Sequence, residues 1–253
     1  DAVLFNDFND HPEIKGLKEL DIPLFLIIHD IHRSKERKEF IEQYNVKHLL
    51  TIYRDAFLKL YPEYAERMYW LPHFAETAVF MDYGLPKEIN WLVMGRLSGY
   101  YPLRRAIVER MTTKEGFVCH KHPKEAMHEG ELYVGRRYAE EINRAKMFLT
   151  CDSRKHYPLR KYFEAMACNT LLLAPMVKEL SDLGFIPGEH FVEINEENFE
   201  EKAEYYLSHI EERERISHAG FELVHKRHSA EARAKELVDI VAQVAKERDA
   251  THK

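Results

Sequence analysis

Cysteine is scarce in this sequence, and its pattern excludes two structural frameworks. The 253 residues include only Cys119, Cys151 and Cys168, which lie far apart. An odd and sparse set argues against a disulfide framework and is typical of a reducing compartment. Because no Cys-x-x-Cys pair occurs, a structural zinc site is not expected either. We therefore expect a cytoplasmic protein that holds no structural metal.

Long apolar runs, an excess of basic residues and glycine-rich stretches are also missing. No apolar run approaches the ~20 residues that a membrane span needs. Asp1–Asp10 lacks the basic start and apolar core of a signal peptide. The net charge of −6 argues against a general nucleic-acid binder, and ten glycines leave no flexible linker. A chain of this length can form one large or two small globular domains.

The first part of the chain alternates between strands and helices. Leu24–Ile28 is a continuous apolar run, as in a parallel strand that is buried on both faces. Such alternation predicts an α/β domain with right-handed crossovers. The predicted strands are Ala2–Phe5, Ile22–Ile28, Lys47–Tyr53 and Met68–Pro72, and the predicted helices are Pro12–Leu20, Arg33–Tyr44 and Ala56–Arg67.

Polar residues follow several of these strands. Asp7, His29, Asp30 and Arg54 come directly after predicted strands. Ligands of open α/β sheets bind beyond the carboxyl ends of the strands, so a shared cleft is one interpretation. The alternative is that each residue caps the helix that follows it, which suits any one of them better.

A second series of alternations begins near Pro86. Asn90–Gly95 is a predicted strand that runs into Arg96, and a glycine there lets the backbone approach a ligand closely. The pattern is not a Gly-x-Gly-x-x-Gly fingerprint. The further predicted strands are Gly116–Cys119, Glu131–Gly135, Lys146–Cys151, Thr170–Ala174 and Glu189–Ile194, and the predicted helices are Tyr101–Met111, Ala139–Ala145, Lys161–Ala167, Glu197–His209, Glu211–His225 and Ala230–Glu247.

Glu164 is the most unusual residue of this second part. It is an acid within the predicted helix Lys161–Ala167, flanked by Phe163, Ala165 and Met166. A buried carboxylate is costly unless a partner pairs with it. Glu164 therefore either pairs locally or binds a polar ligand, and residue statistics alone favour the local role.

Two further patterns need an interpretation. His120-Lys121-His122 with His128 could hold a metal, but the spacing matches no ligand pattern, and a solvated loop is the simpler reading. Tyr101-Pro102-Leu103-Arg104 recurs as Tyr157-Pro158-Leu159-Arg160, each just after a predicted strand. The arginines of both repeats could bind the same anion, although a four-residue identity can also arise by chance.

These segments together resemble a known family. The sequence Phe163-Glu164-Ala165-Met166-Ala167-Cys168-Asn169, followed by an apolar strand, looks like part of a GT-B glycosyltransferase of the glycosyl transferases group 1 type. The CgeB-like (spore-maturation-protein-like) branch is the most similar. Further segments that carry the resemblance are Gly95-Arg96-Leu97, Pro187-Gly188-Glu189, Tyr206-Leu207 with Glu212-Arg213, and His228 with Arg233.

The resemblance implies roles for particular residues. The family's glutamate at this position binds the nucleotide ribose, which here corresponds to Glu164. Basic residues that face the diphosphate correspond to Arg96 and to Arg160 or Lys161, next to Gly95. The turn by the base corresponds to Gly135 and Arg136, and the loop by the donor sugar to Asp152–Lys155 with Ser153 and then His156. Where related retaining enzymes have a second glutamate, this sequence has His156.

The resulting expectation is an α/β protein with two Rossmann-like domains of the GT-B type, the N-terminal one short or truncated. The expected divisions are residues 1–85, 86–228 and a C-terminal helix at 229–253 that could pack on the N-terminal domain. The expected reaction is metal-independent transfer of a sugar from a nucleotide sugar to an unknown acceptor hydroxyl, with no further cofactor. A UDP-sugar is the favoured donor, and retention of configuration is favoured because related families lean towards it. His29, Asp30 and Asp7 are the candidate catalytic residues, as bases if transfer inverts configuration and as orienting groups if it retains it.

Two alternatives remain open at this point. The first is a non-catalytic module that binds nucleotide sugars, which the short N-terminal domain and His156 favour. The second is a two-domain Rossmann enzyme such as a nucleotide-sugar epimerase.

Overall fold

The chain forms two α/β units, each built on its own parallel sheet. The structure is a computed structural model, and it describes residues 1–7, 14–125, 130 and 132–251. One unit comprises Asp1–Pro72 with Glu231–Lys253, and the other comprises His73–Ala230. The strands are β1 (Val3–Asn6), β2 (Leu24–Ile28), β3 (His48–Thr51), β4 (Met68–Trp70), β5 (Ile89–Met94), β6 (Phe117–His120), β7 (Ala145–Leu149), β8 (Leu171–Ala174) and β9 (Val192–Glu193). The α-helices are α1 (Ser34–Gln43), α2 (Arg54–Leu60), α3 (Pro102–Met111), α4 (Gly135–Asn143), α5 (Arg160–Ala167), α6 (Lys178–Asp182), α7 (Phe199–Ser208), α8 (Ile210–Arg227) and α9 (Ala230–Thr251).

The first unit has four parallel strands in the order β1-β2-β3-β4. The apolar face of α9, including Leu237 and Val244, packs with Phe25, Leu50 and Leu71 of this unit. With Ile240 and Val241, these residues form a stripe of four apolar positions at helical spacing, which explains why the C-terminal helix is stable here. In the described part of the chain, no helix is long and apolar enough to cross a membrane.

A buried arginine organises the polar end of this first sheet. Arg37 of α1 is fully buried, and its guanidinium donates to Asp7 Oδ1 at 3.1 Å. It also donates to the His32 carbonyl and to the Tyr61 hydroxyl, at 2.8 and 2.9 Å. A buried charge needs such partners, so Arg37 connects the segment after β1 to α1 and α2.

The second unit has five parallel strands in the order β6-β5-β7-β8-β9. The first strand of this unit, β5, is therefore flanked by β6 on one side and β7 on the other. Its apolar residues, with those of β7 and β8, form the core against α3, α7 and α8. Since both faces of a parallel sheet are covered by helices, these strands are apolar throughout. The connections after β5 and after β7 leave towards opposite faces, which makes this pair the topological switch point.

The mixed α/β class is confirmed, and several element predictions were wrong in detail. The predicted helix Ala56–Arg67 is α2 followed by a 3-10 helix, Pro62–Arg67, because Pro62 has no N–H to continue the α-helix. The predicted strand Glu131–Gly135 is absent over residues 132–135: Gly135, at φ 53°, begins α4, and Tyr133 stacks on His120 instead. Glu131 lies outside the described residues.

Two other elements are shorter than predicted. Of the predicted helix Pro12–Leu20, only the 3-10 helix Leu17–Glu19 occurs among the described residues, because Gly16 has a left-handed backbone. Pro12 and Glu13 lie outside the described residues. The strand Glu189–Ile194 is reduced to Val192–Glu193, since only these residues pair with the end of β8.

The residues between the two predicted domains group with the second unit. Residues 73–85, which the sequence reading assigned to the N-terminal domain, belong to His73–Ala230. The Asn143 side chain accepts from the Tyr83 N–H at 2.7 Å and donates to the Met81 carbonyl at 2.9 Å. Ala75 exchanges backbone hydrogen bonds with His228 and Ala230. These bonds hold the segment against α4 and the end of α8.

Candidate functional site

A cavity of about 590 Å3 lies in the second unit at the switch point of its sheet. Its walls come from the residues that follow β5 and β7, together with the start of α4 and α5. The lining contains Glu76, Val79, Phe80, Met94, Gly95, Arg96, Tyr101, Arg104, Lys121, His122, Pro123, Tyr133, Val134, Gly135, Tyr138, Leu159, Arg160, Lys161 and Glu164. The described lining thus has five Arg and Lys side chains and two carboxylates, so the cavity favours an anion.

Arg104 is the most deeply buried of these cations. Only 1% of the residue is exposed, although α3 is an amphipathic helix that packs on the sheet. Its guanidinium donates to the Arg96 carbonyl at 3.0 Å and to Thr150 Oγ1 at 3.1 Å. These acceptors lie after β5 and after β7, so Arg104 joins the two strand ends across the switch point. Both acceptors are uncharged, and within the described chain Arg104 forms no ion pair, while its buried Nε lacks a partner.

Gly95 lets the backbone after β5 pass close to the cationic side chains. Its φ of 129° lies in the region that favours glycine. A Cβ at this position would stand 2.8 Å from Lys161 Cε and 3.1 Å from a terminal nitrogen of Arg104. A larger residue would therefore push the end of the Lys161 side chain aside and crowd the Arg104 guanidinium.

Lys161 and Glu164 both interact with Tyr138 of α4. Lys161 Nζ donates to the Tyr138 hydroxyl at 3.1 Å, and Tyr138 is among the groups that act to lower the pKa of Glu164. Burial lowers the pKa of Lys161 to about 8, and the charge of Glu164 opposes this shift. Burial likewise raises the pKa of Glu164, against the charges of Lys161 and Arg160 and the bond from Tyr138. Glu164 is only 7% exposed and faces polar partners on one side of an otherwise apolar helix.

The N-terminus of α5 adds backbone donors to the same cavity. Leu159 precedes the helix in an extended conformation, and no side chain caps the first turn. Leu159, Arg160 and Lys161 all line the cavity. The first N–H groups of a helix have no intrahelical acceptor, and the helix dipole favours an anion there.

At the other end of the cavity, aromatic groups stand beside Gly135. Tyr133 stacks on His120 with ring centroids 3.9 Å apart. His120 Nε2 donates to Glu141 Oε1 at 2.6 Å, and the pKa of that carboxyl is lowered chiefly by this bond. The stack is thus anchored to α4. In the described residues, no group of three or more His, Cys, Asp or Glu side chains is arranged to hold a metal; His128 lies outside them.

The structure brings together six of the nine residues that the sequence assigned to donor binding: Gly95, Arg96, Gly135, Arg160, Lys161 and Glu164. The other three lie outside the lining of this cavity. The side chain of Arg136 is 73% exposed and pairs with Glu140. Ser153 is buried in a turn, and the 82% exposed side chain of His156 donates to Asp152 at 2.7 Å. Their assigned roles stay predictions.

The candidate catalytic residues lie in the first unit, at the carboxyl end of its sheet. Asp7 follows β1 and binds Arg37, while His29 and Asp30 follow β2. His29 Nε2 donates to Asn6 Oδ1 at 2.6 Å, and Asp30 Oδ1 accepts from the His32 N–H at 2.8 Å. The expected convergence of these strand ends is present within this unit, and the catalytic roles stay predictions.

Sequence reasoning missed Tyr138 and Tyr133 as site residues. The predicted helix Ala139–Ala145 began too late, which left Tyr138 outside it, and Tyr133 was assigned to a strand. Gly135 was the available indication, because a glycine before an amphipathic segment can begin a helix beside a ligand. Arg104 was noted only through its four-residue repeat with Arg160.

The comparisons with known proteins agree with this geometry. The fold is the GT-B type of the glycosyltransferase structures that are similar to the chain over most of its length. A family model described as glycosyl transferase-like matches residues 104–239, more than half of the chain. The chain therefore belongs to the glycosyl transferase-like family, and it is a transferase. No curated protein gives a significant sequence match.

Among the similar structures is sucrose-phosphate synthase from Thermosynechococcus elongatus, with 14% identity and a TM-score of 0.66 over 91% of this chain and 70% of that chain. A glycosyltransferase from Rickettsia africae has 11% identity and a TM-score of 0.67, covering 97% of this chain and 77% of that chain. Anabaena HepE in complex with UDP-glucose has 10% identity and a TM-score of 0.64, covering 88% of this chain and 72% of that chain. At these identities the likeness concerns the fold.

Proposed function

We propose that the protein transfers a sugar from a nucleoside-diphosphate sugar to an acceptor hydroxyl, without a metal and with retention of configuration. A UDP-sugar is the favoured donor. The observation that carries this proposal is the cationic cavity at the switch point of the second sheet. The complex of HepE with UDP-glucose, a protein of similar fold, supports UDP-sugar as the first donor to test. The CgeB-like branch rests on the sequence segments alone.

The diphosphate is assigned to the floor of the cavity. Arg104 and Lys161 lie beside Gly95, Arg160 lines the same cavity, and the N-terminus of α5 supplies N–H donors. The burial of Arg104 without a carboxylate partner is costly in the ligand-free protein, and an incoming diphosphate offsets this cost. Cations and helix dipoles of this kind stabilise the negative charge that develops on a leaving group.

The ribose is assigned to Glu164. A carboxylate can accept hydrogen bonds from two neighbouring hydroxyls, which is what a ribose presents. Glu164 and Tyr138 both line the cavity, so a ribose at Glu164 would lie beside Tyr138. The base is assigned to the part of the cavity that Tyr133 and Gly135 line.

In the transfer step, the bond between the anomeric carbon and the β-phosphate oxygen breaks, and a bond from the acceptor oxygen forms. The electron pair of the broken bond goes to the diphosphate, beside Arg104 and Lys161. In a retaining reaction the departing phosphate oxygen can take the acceptor proton, and His29, Asp30 and Asp7 then orient the acceptor. In an inverting reaction one of these three must take the proton. The anomeric configuration of the product, read by NMR, tests the retaining assignment.

The nucleotide assignment is tested by isothermal titration calorimetry with UDP and UDP-glucose. Glu164→Gln keeps the size of the side chain but removes the charge, so we expect UDP affinity to fall by about 10- to 100-fold, as for hydrogen bonds to a charged group. The matched control is Glu179→Gln, a buried glutamate of the same unit outside the cavity lining. Unchanged affinity in Glu164→Gln would contradict the ribose assignment.

Transfer itself is measured as the release of UDP from UDP-glucose by EDTA-treated protein, with and without candidate acceptors. Turnover that survives EDTA supports the metal-independent step, and turnover that returns only with Mg2+ or Mn2+ contradicts it. Tight UDP-sugar binding with no hydrolysis or transfer to any acceptor would instead indicate a non-catalytic binding module.

A further inference from the structure

A second cavity, of about 560 Å3, adjoins the first one in the same unit. It is lined by Arg96, Ser98, Gly99, Tyr100, Arg154 and Lys155. Arg96 lines both cavities, so a substrate that occupies the first can extend past this arginine into the second. The walls again come from the residues after β5 and after β7.

The local backbone explains why the basic side chains meet here. The Arg154 N–H donates to the Tyr100 carbonyl at 3.1 Å, which ties the two loops together. Ser153 is buried, its Oγ accepts from the Lys155 N–H at 3.1 Å, and its carbonyl accepts from the His156 N–H at 2.9 Å. This tight turn buries Ser153 and leaves the side chains of Arg154 and Lys155 exposed.

The charges of this cavity are not balanced. Its described lining contains Arg96, Arg154 and Lys155 and no Asp or Glu. Asp152, the carboxylate nearest in sequence, binds His156 at 2.7 Å and does not line the cavity. Elsewhere in the described chain, none of the three cations forms an ion pair, although the molecule as a whole is acidic at −6. A local excess of positive charge in an acidic protein selects for an anionic group.

We propose that this second cavity binds a carboxylate or phosphate carried by a substrate beyond the diphosphate, with Arg154 and Lys155 as specificity-determining residues. The inference rests on the proposed function, because the second cavity can receive this group only if the first cavity holds the nucleotide. The anionic group can belong to the donor sugar or to the acceptor. Arginine binds either group through two parallel hydrogen bonds, and lysine adds a point charge.

The test compares pairs of probes that differ in one charged group. In the donor arm, calorimetry measures UDP-glucuronic acid against UDP-glucose. In the acceptor arm, it measures glucose 6-phosphate against glucose on protein saturated with UDP. We expect the charged probe of one pair to bind about tenfold more tightly to the wild type, as for a charge-assisted hydrogen bond. The arm that shows the preference identifies which substrate carries the anion.

The preference must then depend on the two basic residues. In the Arg154→Ala/Lys155→Ala double variant we expect it to disappear, while the affinity for UDP alone stays within about twofold because exposed charges outside the first cavity contribute little. Arg105→Ala is the control, because this exposed arginine of α3 lines neither cavity and pairs with Glu109. Thermal denaturation checks that both variants fold as the wild type does.

Three outcomes overturn the inference. Equal affinity for the charged and neutral probes in both arms removes the basis for anion selection. If the double variant keeps the preference for the charged probe, residues other than Arg154 and Lys155 cause it. In both of these outcomes, tight binding of UDP would still support the proposed function. If UDP does not bind to the wild type, the proposed function fails and the inference fails with it.

Discussion

The affinity for UDP should fall as the pH rises from 7 to 9, because a cation in the diphosphate region loses its proton in this range. Burial lowers the pKa of Lys161 to about 8, where a lysine ordinarily titrates near 10.5. Its Nζ lies against Tyr138, donating to the hydroxyl at 3.1 Å and standing 4.9 Å from the ring centroid. Glu164 opposes this shift, whereas Arg104 and Arg160 lower the pKa further, so an anion that enters the cavity adds to the stabilisation of the protonated form.

The magnitude follows from the protonated fraction. With a pKa of about 8, Lys161 is about nine tenths protonated at pH 7 and about one tenth protonated at pH 9. If the diphosphate binds only the protonated form, UDP affinity falls about tenfold over this range. Calorimetry in buffers of different ionisation enthalpy should also show proton uptake on binding above pH 8, because the anion raises the pKa of the lysine.

Two variants separate Lys161 from other titrating groups. Lys161→Met keeps the length of the side chain and should bind UDP weakly at every pH, without the tenfold change. Ionisation of the ligand would appear equally in this variant. Lys87→Met is the matched control, because burial also lowers the pKa of Lys87 to about 8, but this lysine lies outside the cavity. Parallel pH profiles for wild type and Lys161→Met would refute the reasoning.

Two further predictions concern the glycine of the site and the buried charge of the first unit. Gly95→Ala should lower the free energy of unfolding by about 1–3 kcal/mol, because a φ of 129° is strained for alanine, and chemical denaturation measures this loss. The same variant should weaken UDP binding because the new Cβ displaces Lys161. Calorimetry measures this second effect, and a wild-type affinity for UDP would contradict it. Arg37→Met should lower the free energy of unfolding by about 3–5 kcal/mol, because Asp7 loses its buried ion-pair partner. If this variant still binds UDP as the wild type does, the nucleotide is held by the second unit. Denaturant unfolding of Arg37→Met at wild-type stability would contradict the role given to this arginine.

The linear order of elements could be read from the sequence, because the apolar strands of a parallel sheet are continuous runs. Leu24–Ile28 and Leu171–Ala174 were recognised in this way, and the amphipathic α9 was recognised from its helical spacing. Errors arose where the local pattern was short. The residues 132–134 look like a strand, yet stacking of Tyr133 on His120 decides their conformation.

The residues proposed to bind the nucleotide also divide into those that the sequence indicated and those that it did not. Gly95 and Glu164 were found from the chain itself, as a glycine after a strand and a carboxylate in an apolar helix. Tyr138 and Arg104 were not assigned, because their roles depend on partners distant in sequence. Thr150 lies 46 residues from Arg104, and Tyr138 lies 23 residues from Lys161.

The sequence by itself therefore determined the α/β class and the family, and it indicated Gly95 and Glu164 as site residues. Only the tertiary structure decided which charges are balanced. It placed Arg104 between two uncharged acceptors across the switch point, paired Lys161 with the Tyr138 hydroxyl, and paired Asp152 with His156 beside two exposed cations. Burial and pairing are properties of side chains that meet across the fold, and spacing along the chain does not contain them.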